Sequence, residues 1–246
     1  LQRYFLQHPF DNEGQSTISG EDGKHIVRVM RMEPGEGLIA VSEGEAFLSS
    51  ITEITADGVV IQQQDGSLPS NEMPLHVTIA CGLPKGDKLD LIVQKGTELG
   101  MAGIIPFQAE RSIVKWDEQK GGKKVERLQK IAKEAAEQCH RTRIPTVSSP
   151  MTFRQLLAEA SNFDVLLLAD EEDAKSGEPH KIAERLKNVY HKQTVLAVFG
   201  PEGGLSRTEA EALRSAGFLP MSLGPRILRT ETAPLYLLSA LSYEFE

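Results

Sequence analysis

Cysteine is scarce in this 246-residue chain. Only Cys81 and Cys139 occur, one in an apolar run and one in a helical run, and neither sits in a C-x-x-C or a Cys/His cluster. That excludes a disulfide framework and leaves two reduced, buried thiols as the reading. Long apolar runs are missing too. Nothing approaches the roughly 18 residues that a spanning helix needs, and the N-terminal LQRYFLQHPFDNEGQ lacks the basic and apolar regions of a signal peptide. A cytoplasmic protein with no membrane partner is expected. The six histidines are scattered, and no His-x-x-x-His, Gly-x-Ser-x-Gly or carboxylate-rich pattern appears. Metal-dependent and serine-hydrolase chemistry therefore fall away, and no metal is expected. Neither G-x-G-x-x-G nor the Walker pattern is present, which weakens dinucleotide and nucleotide-triphosphate folds.

Positive charge is also in deficit, at a net −8, which by itself argues against a nucleic-acid partner. The average hides an asymmetry. Residues 1–70 hold four Lys and Arg against eleven Asp and Glu, whereas residues 111–143 hold ten against five. A basic patch exists if the fold gathers it.

What is present is ordinary globular material, 40% hydrophobic and 25% charged, long enough for one large or two modest domains. The first seventy residues are short β-type runs, RYFLQ, GLIAVS, AFLSSITEI and GVVIQQ, parted by turn residues such as Asp57-Gly58. They read as a small β-barrel or sandwich over 1–70. One short helix is expected over Gly23–Met32, with Ile26, Val29 and Met30 on one face. The polar, aperiodic Gln62–Pro74 reads as a linker.

From Leu75 the pattern alternates strand and helix through LHVTIACG, AGIIPF, DVLLLAD, TVLAVFG and FLPMSLG. That predicts an α/β domain over 74–246 with mostly parallel strands. Leu89, Ile92, Val93 and Leu99 mark one helix, which Gly100 can end. Val125, Leu128, Ala132, Ala135 and Cys139 mark a second, whose other face carries Lys123, Arg127 and Lys130.

In open α/β sheets, ligands bind beyond the carboxyl ends of the strands. Two such loops stand out. Phe199-Gly200-Pro201-Glu202-Gly203-Gly204 brings backbone N–H groups close to anything bound there, and Ser206-Arg207-Thr208-Glu209 then forms a capping box. The second loop, Leu223–Pro234, crowds two arginines, a glutamate and two threonines ahead of an apolar helix, Leu235–Phe245. Thr232 is read as the N-cap of that helix, with Pro234 in its first turn.

The pair GPEGGLSRTE and LGPRILRTETAPLYLLSAL resembles the C-terminal signature of SPOUT-class methyltransferases, specifically the RsmE-type 16S ribosomal RNA uridine N3-methyltransferases. HIVRVMRMEPGEGL is similar to that family's N-terminal PUA-like segment. CGLPKGDKLDLIVQKGTELGMAGIIPF is similar to its first strand-helix-strand unit, and KIAKEAAEQCHRTRIP to its Glu-Gln-x-x-Arg helix. The resemblance spans nearly the whole chain. It implies a trefoil-knotted C-terminal domain, a PUA-like RNA-binding first domain, S-adenosylmethionine as cofactor, and a homodimer acting on 16S rRNA in the small ribosomal subunit.

By residue, it implies a cofactor cleft of Leu168, Ala169, Phe199, Gly200, Glu202, Gly203, Gly204, Leu223, Gly224, Ile227, Leu228 and Thr232. Methyl transfer from a sulfonium needs no metal, but the N3 proton of uracil must leave and the resulting charge needs a partner. Arg229 is assigned as that partner. Glu231 is the proton acceptor, or an orienter of it, or a carboxylate tied up within the loop. For RNA the candidates are Arg28, Arg31, Lys85, Lys95, Gln138 and Arg141, which would mainly touch phosphate. The rival readings are a ribose 2′-O-methyltransferase of the same class, a non-catalytic RNA-binding assembly factor, and a small-molecule α/β enzyme with an accessory β domain.

Overall fold

The computed structural model describes residues 1–170 and 182–246. The chain divides into two compact units, one of Leu1–Glu72 with Ala136–Arg143, the other of Met73–Ala135 with Ile144–Glu246.

In the first unit five strands form one sheet in the order β1-β3-β4-β5-β2. These are β1 (Arg3–Phe5), β2 (Gln15–Ile18), β3 (Gly37–Ser42), β4 (Glu45–Ile54) and β5 (Val59–Leu68). β3 and β4 form a hairpin with Ser42 opposite Glu45, and both residues of its turn, Glu43 and Gly44, have positive φ. That is the mirror-image turn whose twist matches the strands. Tyr4, Ile18, Ile26, Leu38, Ile51, Val59 and Ile61 fill the core.

Three sequence expectations change here. Gln62–Leu68 is not linker but the second half of β5, paired with β4 from Ser49 opposite Gln63 to Ala46 opposite Leu68; an exposed strand needs no apolar period. The helix begins earlier, as α1 (Gly20–Lys24), and continues as one wide turn over His25–Val29. Only Ile26 of its apolar residues is buried, while Val29 and Met30 face outward. β2 carries too short an alternation to be read in advance.

The second unit is a parallel sheet in the order β12-β10-β11-β6-β7-β8, with β9 also on β7. Its strands are β6 (His76–Gly82), β7 (Gly103–Gln108), β8 (Thr146–Val147), β9 (Met151–Thr152), β10 (Val165–Ala169), β11 (Thr194–Phe199) and β12 (Leu219–Met221). Strand alternation sends Val77, Ile79, Val195 and Ala197 into one core and Ala80, Leu196, Val198 and Leu168 into another. Both faces are buried, as the near-continuous apolar strands require.

The first core is roofed by α2 (Lys88–Glu98), α3 (Glu118–Gln138) and α7 (Thr232–Phe245), through Ile92, Leu128, Leu237 and Leu241. α2 buries Leu89, Ile92 and Val93, and Gly100, at φ +85°, lets the chain turn out of it. The second core is closed by α4 (Phe153–Glu159) and α6 (Arg207–Ser215), through Leu156 and Leu213. α5 (Ile182–Leu186) completes the set among the described residues. After β12, at one edge, the chain returns to pack α7 against α2. The segment that makes this crossing is the loop Ser222–Glu231.

Candidate functional site

The carboxyl ends of β10, β11 and β12 open into a cavity of about 490 Å³, within the usual range for small-molecule sites. Its lining brings together ten of the twelve residues expected in the cofactor cleft: Ala169, Phe199, Gly200, Glu202, Gly203, Gly204, Leu223, Gly224, Ile227 and Leu228. Leu168 does not line it, because alternation along β10 turns that side chain into the core. Nor does Thr232, which is the exposed first residue of α7. Its assigned capping role is also corrected. Glu231 occupies the N-cap, and the N–H groups of Thr232 and Ala233 donate to the Arg229 carbonyl at 2.9 and 3.1 Å.

The glycine loop is held from three sides. Gly82, at the end of β6, lies so close beneath it that a Cβ there would come within 2.5 Å of the Pro201 ring. At Gly200 a Cβ would sit 3.0 Å from the Gly204 and Leu205 backbone. The third support is Glu209. Its Oε2 accepts from the Ser206 N–H at 2.9 Å, completing the expected capping box, and its Oε1 accepts from the Glu110 N–H at 2.8 Å. One buried carboxylate thereby ties the β11 loop to the β7 loop.

A charge cluster adjoins the cavity. Glu202 Oε1 accepts from Lys88 Nζ at 2.9 Å and from the Lys85 N–H at 3.0 Å. Burial works to raise the Glu202 carboxyl, but these two donors outweigh it and hold the group below the ordinary range. The same bond raises Lys88. Lys88 Nζ also stands 3.4 Å from Glu231 Oε2. That oxygen is buried, and among the described residues this longer contact is what faces it. Glu231 itself is not in the cavity wall, though its neighbours Thr230 and Ala233 are. Arg229 is exposed and outside the wall, and no hydrogen bond or ion pair of its guanidinium is present among the described residues.

Sequence reasoning missed several wall residues: Arg111, Asp170, Leu205, Met221, Ser222 and Arg226. Arg111 Nη1 donates to the Gly203 carbonyl at 3.4 Å, and Asp170 pairs with Arg214 at 2.8 Å. Lys88 was missed as well, though one signal was available. It opens a helix, where a cation opposes the dipole and is unusual without carboxylate partners.

The residues expected to bind RNA are divided between the units. In the first, Arg28, Arg31 and Gln138 are exposed. Arg141 is a correction. Its side chain is buried, with Nε and Nη2 donating to Glu72 at 3.0 and 2.5 Å. Glu72 accepts in addition from the N–H groups of Thr142 and Arg143. The pair braces the fold, and its guanidinium is not available to phosphate. In the second unit Lys85 is exposed, and Lys95 is paired with Glu98 at 2.7 Å. On α3, Arg127 pairs with Asp90. Among the described residues there is no group of side chains suited to a metal ion and no helix long and apolar enough to cross a membrane.

Comparison with known proteins agrees with this geometry. A family model described as an RNA methyltransferase domain matches residues 71–242, and one described as an RNA methyltransferase PUA domain matches residues 18–64. The chain is 45% identical to the ribosomal RNA small subunit methyltransferase E of Bacillus subtilis, over 100% of this chain and 98% of that protein. It is 34% identical to the Synechocystis protein of the same name, over 94% and 73%. Among solved structures it is similar to a ribosomal RNA small subunit methyltransferase E from Neisseria gonorrhoeae bound to S-adenosyl methionine. That match has a TM-score of 0.84 and 28% identity, and covers 100% of this chain and 98% of that one.

Proposed function

We propose, on the premise that this chain belongs to the ribosomal RNA small subunit methyltransferase E family, that it methylates N3 of one uridine in 16S rRNA. At the coarser level it is a small-subunit rRNA methyltransferase with a SPOUT-type α/β unit, a PUA-like first unit and S-adenosylmethionine as cofactor. The observation that carries the finer reading is a buried carboxylate oxygen of Glu231, one residue from the wall of the cavity.

The cavity suits the cofactor. Four glycines in its wall expose backbone, two of them, Gly204 and Gly224, at positive φ, and Leu205, Met221, Leu223 and Leu228 supply apolar walls. Such a lining holds a flat purine by backbone groups and apolar flanks, while Arg111, Asp170 and Arg226 offer charges to an amino-acid end. The bound cofactor supplies an activated methyl group whose departure leaves a neutral thioether.

The chain's own residues do the rest. Glu231 accepts the N3 proton, and the freed N3 electron pair forms the bond to the methyl carbon. Arg229, with no competing partner among the described residues, offsets the charge that spreads over O2 and O4 of the uracil. Arg28, Arg31, Gln138, Lys85 and Lys95 position RNA by its phosphates. A second copy of the chain covers the exposed apolar groups Ile227, Tyr236 and Tyr243 and completes a homodimer. The substrate is the assembled small subunit in the cytoplasm.

The test is methyl transfer from labelled S-adenosylmethionine to unmodified small subunits, naked 16S rRNA and tRNA, followed by nucleoside analysis. 3-Methyluridine on the subunit is the expected product. A 2′-O-methyl nucleoside would transfer the chain to the sister activity, and product on tRNA alone would refute the ribosomal target. Arg229→Ala should lower kcat by about 100-fold or more with little change in cofactor affinity.

A further inference from the structure

The charge cluster beside the cavity holds one cation and two carboxylates that are not equivalent. The short hydrogen bond of Lys88, 2.9 Å, goes to Glu202, whose Oε1 is also filled by the Lys85 N–H. Glu231 Oε2 meets the same ammonium at the longer distance of 3.4 Å. Glu202 is thus spent on fixing the loop.

We infer that Lys88 is a positioning residue for methyl transfer, placing its charge against Glu231 while Glu202 takes its short hydrogen bond, so that an oxygen of Glu231 is held ready to accept the N3 proton. The inference rests on the reading of Glu231 as proton acceptor. The physical case has three parts. A cation at the first residue of α2 opposes the helix dipole, so its place is explained by the carboxylates it serves and not by the helix. A carboxylate oxygen withdrawn from water is costly unless a countercharge stands near, and Lys88 Nζ stands 3.4 Å from the buried Glu231 Oε2. Finally, the cluster carries one net negative charge. Moving the N3 proton to Glu231 Oε2 brings it to neutrality, while the N3 electron pair goes into the new bond to the methyl carbon and the carbon–sulfur pair returns to sulfur.

Lys88→Gln tests this in the full chain, since glutamine can still donate to Glu202 but carries no charge; Lys88→Met is the second variant should the first fail to fold. The measurements are kcat on unmodified small subunits and the S-adenosylmethionine Kd by calorimetry, for Lys88→Gln, Glu231→Gln and the double variant. We expect Lys88→Gln to lower kcat by about 10-fold to 100-fold, part of what a positioned base contributes, with a Kd changed by less than about fivefold, the size of one ordinary hydrogen bond. In the Glu231→Gln background the same substitution should change kcat by no more than about twofold. If Glu231→Gln keeps full turnover, the reading of Glu231 fails and takes the inference with it. If Glu231→Gln is impaired but Lys88→Gln multiplies that loss, the inference alone fails, because Lys88 then acts independently. A rise in Kd with kcat unchanged overturns it equally, by making Lys88 a support of the cofactor loop only.

Discussion

Gly82 lies outside the cavity, yet its replacement should weaken cofactor binding. A Cβ on Gly82 would stand 2.5 Å from Pro201 Cδ and 2.7 Å from Pro201 N. Ordinary carbon contacts are about 3.5 Å, so the ring must retreat by about 1 Å. A proline cannot rotate away, because its ring is locked to the backbone, and the whole Gly200–Gly204 turn must follow it. The strand side offers no relief: Gly82 is the last residue of β6, opposite Phe107, in a fully buried sheet. Overpacking of this kind costs about 1–3 kcal/mol of stability, a fall in Tm of about 2–12 °C for a chain of this size. Binding should suffer by a similar amount. If the displaced turn forfeits two backbone hydrogen bonds to the ligand, at about 1 kcal/mol each, affinity drops roughly 30-fold. Calorimetric titration of Gly82→Ala with S-adenosylmethionine, well below its Tm, measures this. A folded Gly82→Ala that binds with native affinity would refute the argument that Pro201, seated on Gly82, sets the shape of the cofactor loop.

Other outcomes follow from separate parts of the molecule. Glu72 is held below its ordinary 4.5: burial opposes its charge, but Arg141 and the Thr142 and Arg143 N–H groups prevail. A depressed folded value means stability that is present above 4.5 and is lost as pH falls through the folded value. Glu72→Gln should therefore cost about 3–5 kcal/mol at pH 7, with the gap to the natural chain closing below pH 4.5 in urea melts; a gap independent of pH would sink the assignment. Arg28→Ala with Arg31→Ala should weaken binding to small subunits and reduce the salt slope by about 1 for each phosphate that is no longer neutralised. Unchanged slopes in filter binding would remove both residues from the RNA surface. Cys81, whose thiol burial beside Glu202 pushes up to about 12, should resist iodoacetamide at pH 8 in the folded protein, and rapid labelling by mass spectrometry would contradict its place in the core.

Much of the second unit was legible because its central strands β6, β7, β10 and β11 are apolar on both faces and α2 and α3 each have one apolar stripe. Ile92 and Val93 on α2, and Leu128 and Ala132 on α3, are buried as their spacing requires. The capping box at Ser206 and Glu209 was readable for a similar reason, since it joins residues three apart. Errors concentrated where pairing is non-local. β5 beyond Ile61 carries Gln62, Gln63, Gln64 and Asp65, whose polarity imitates a linker while their backbone pairs with β4. Arg141 reads as a surface cation because Glu72, its partner, lies 69 residues away. Thr232 is a good capping residue by type, but the turn from the Arg229 carbonyl moves the helix start one residue earlier.

The sequence by itself determined the alternation of strand and helix, the two loops that line the cavity, and the family, since these rest on local periodicity, glycine backbone freedom and contiguous motifs. Only the tertiary structure decided how side chains within those loops divide their work. Ten of the expected wall residues meet around one cavity, Leu168 turns away from it, and Lys88, Glu202 and Glu231 converge from three distant segments. The physical reason is that a charge acquires its role from what surrounds it. Glu202 and Glu231 read alike in the sequence, and only the burial of one oxygen and the filling of another set them apart.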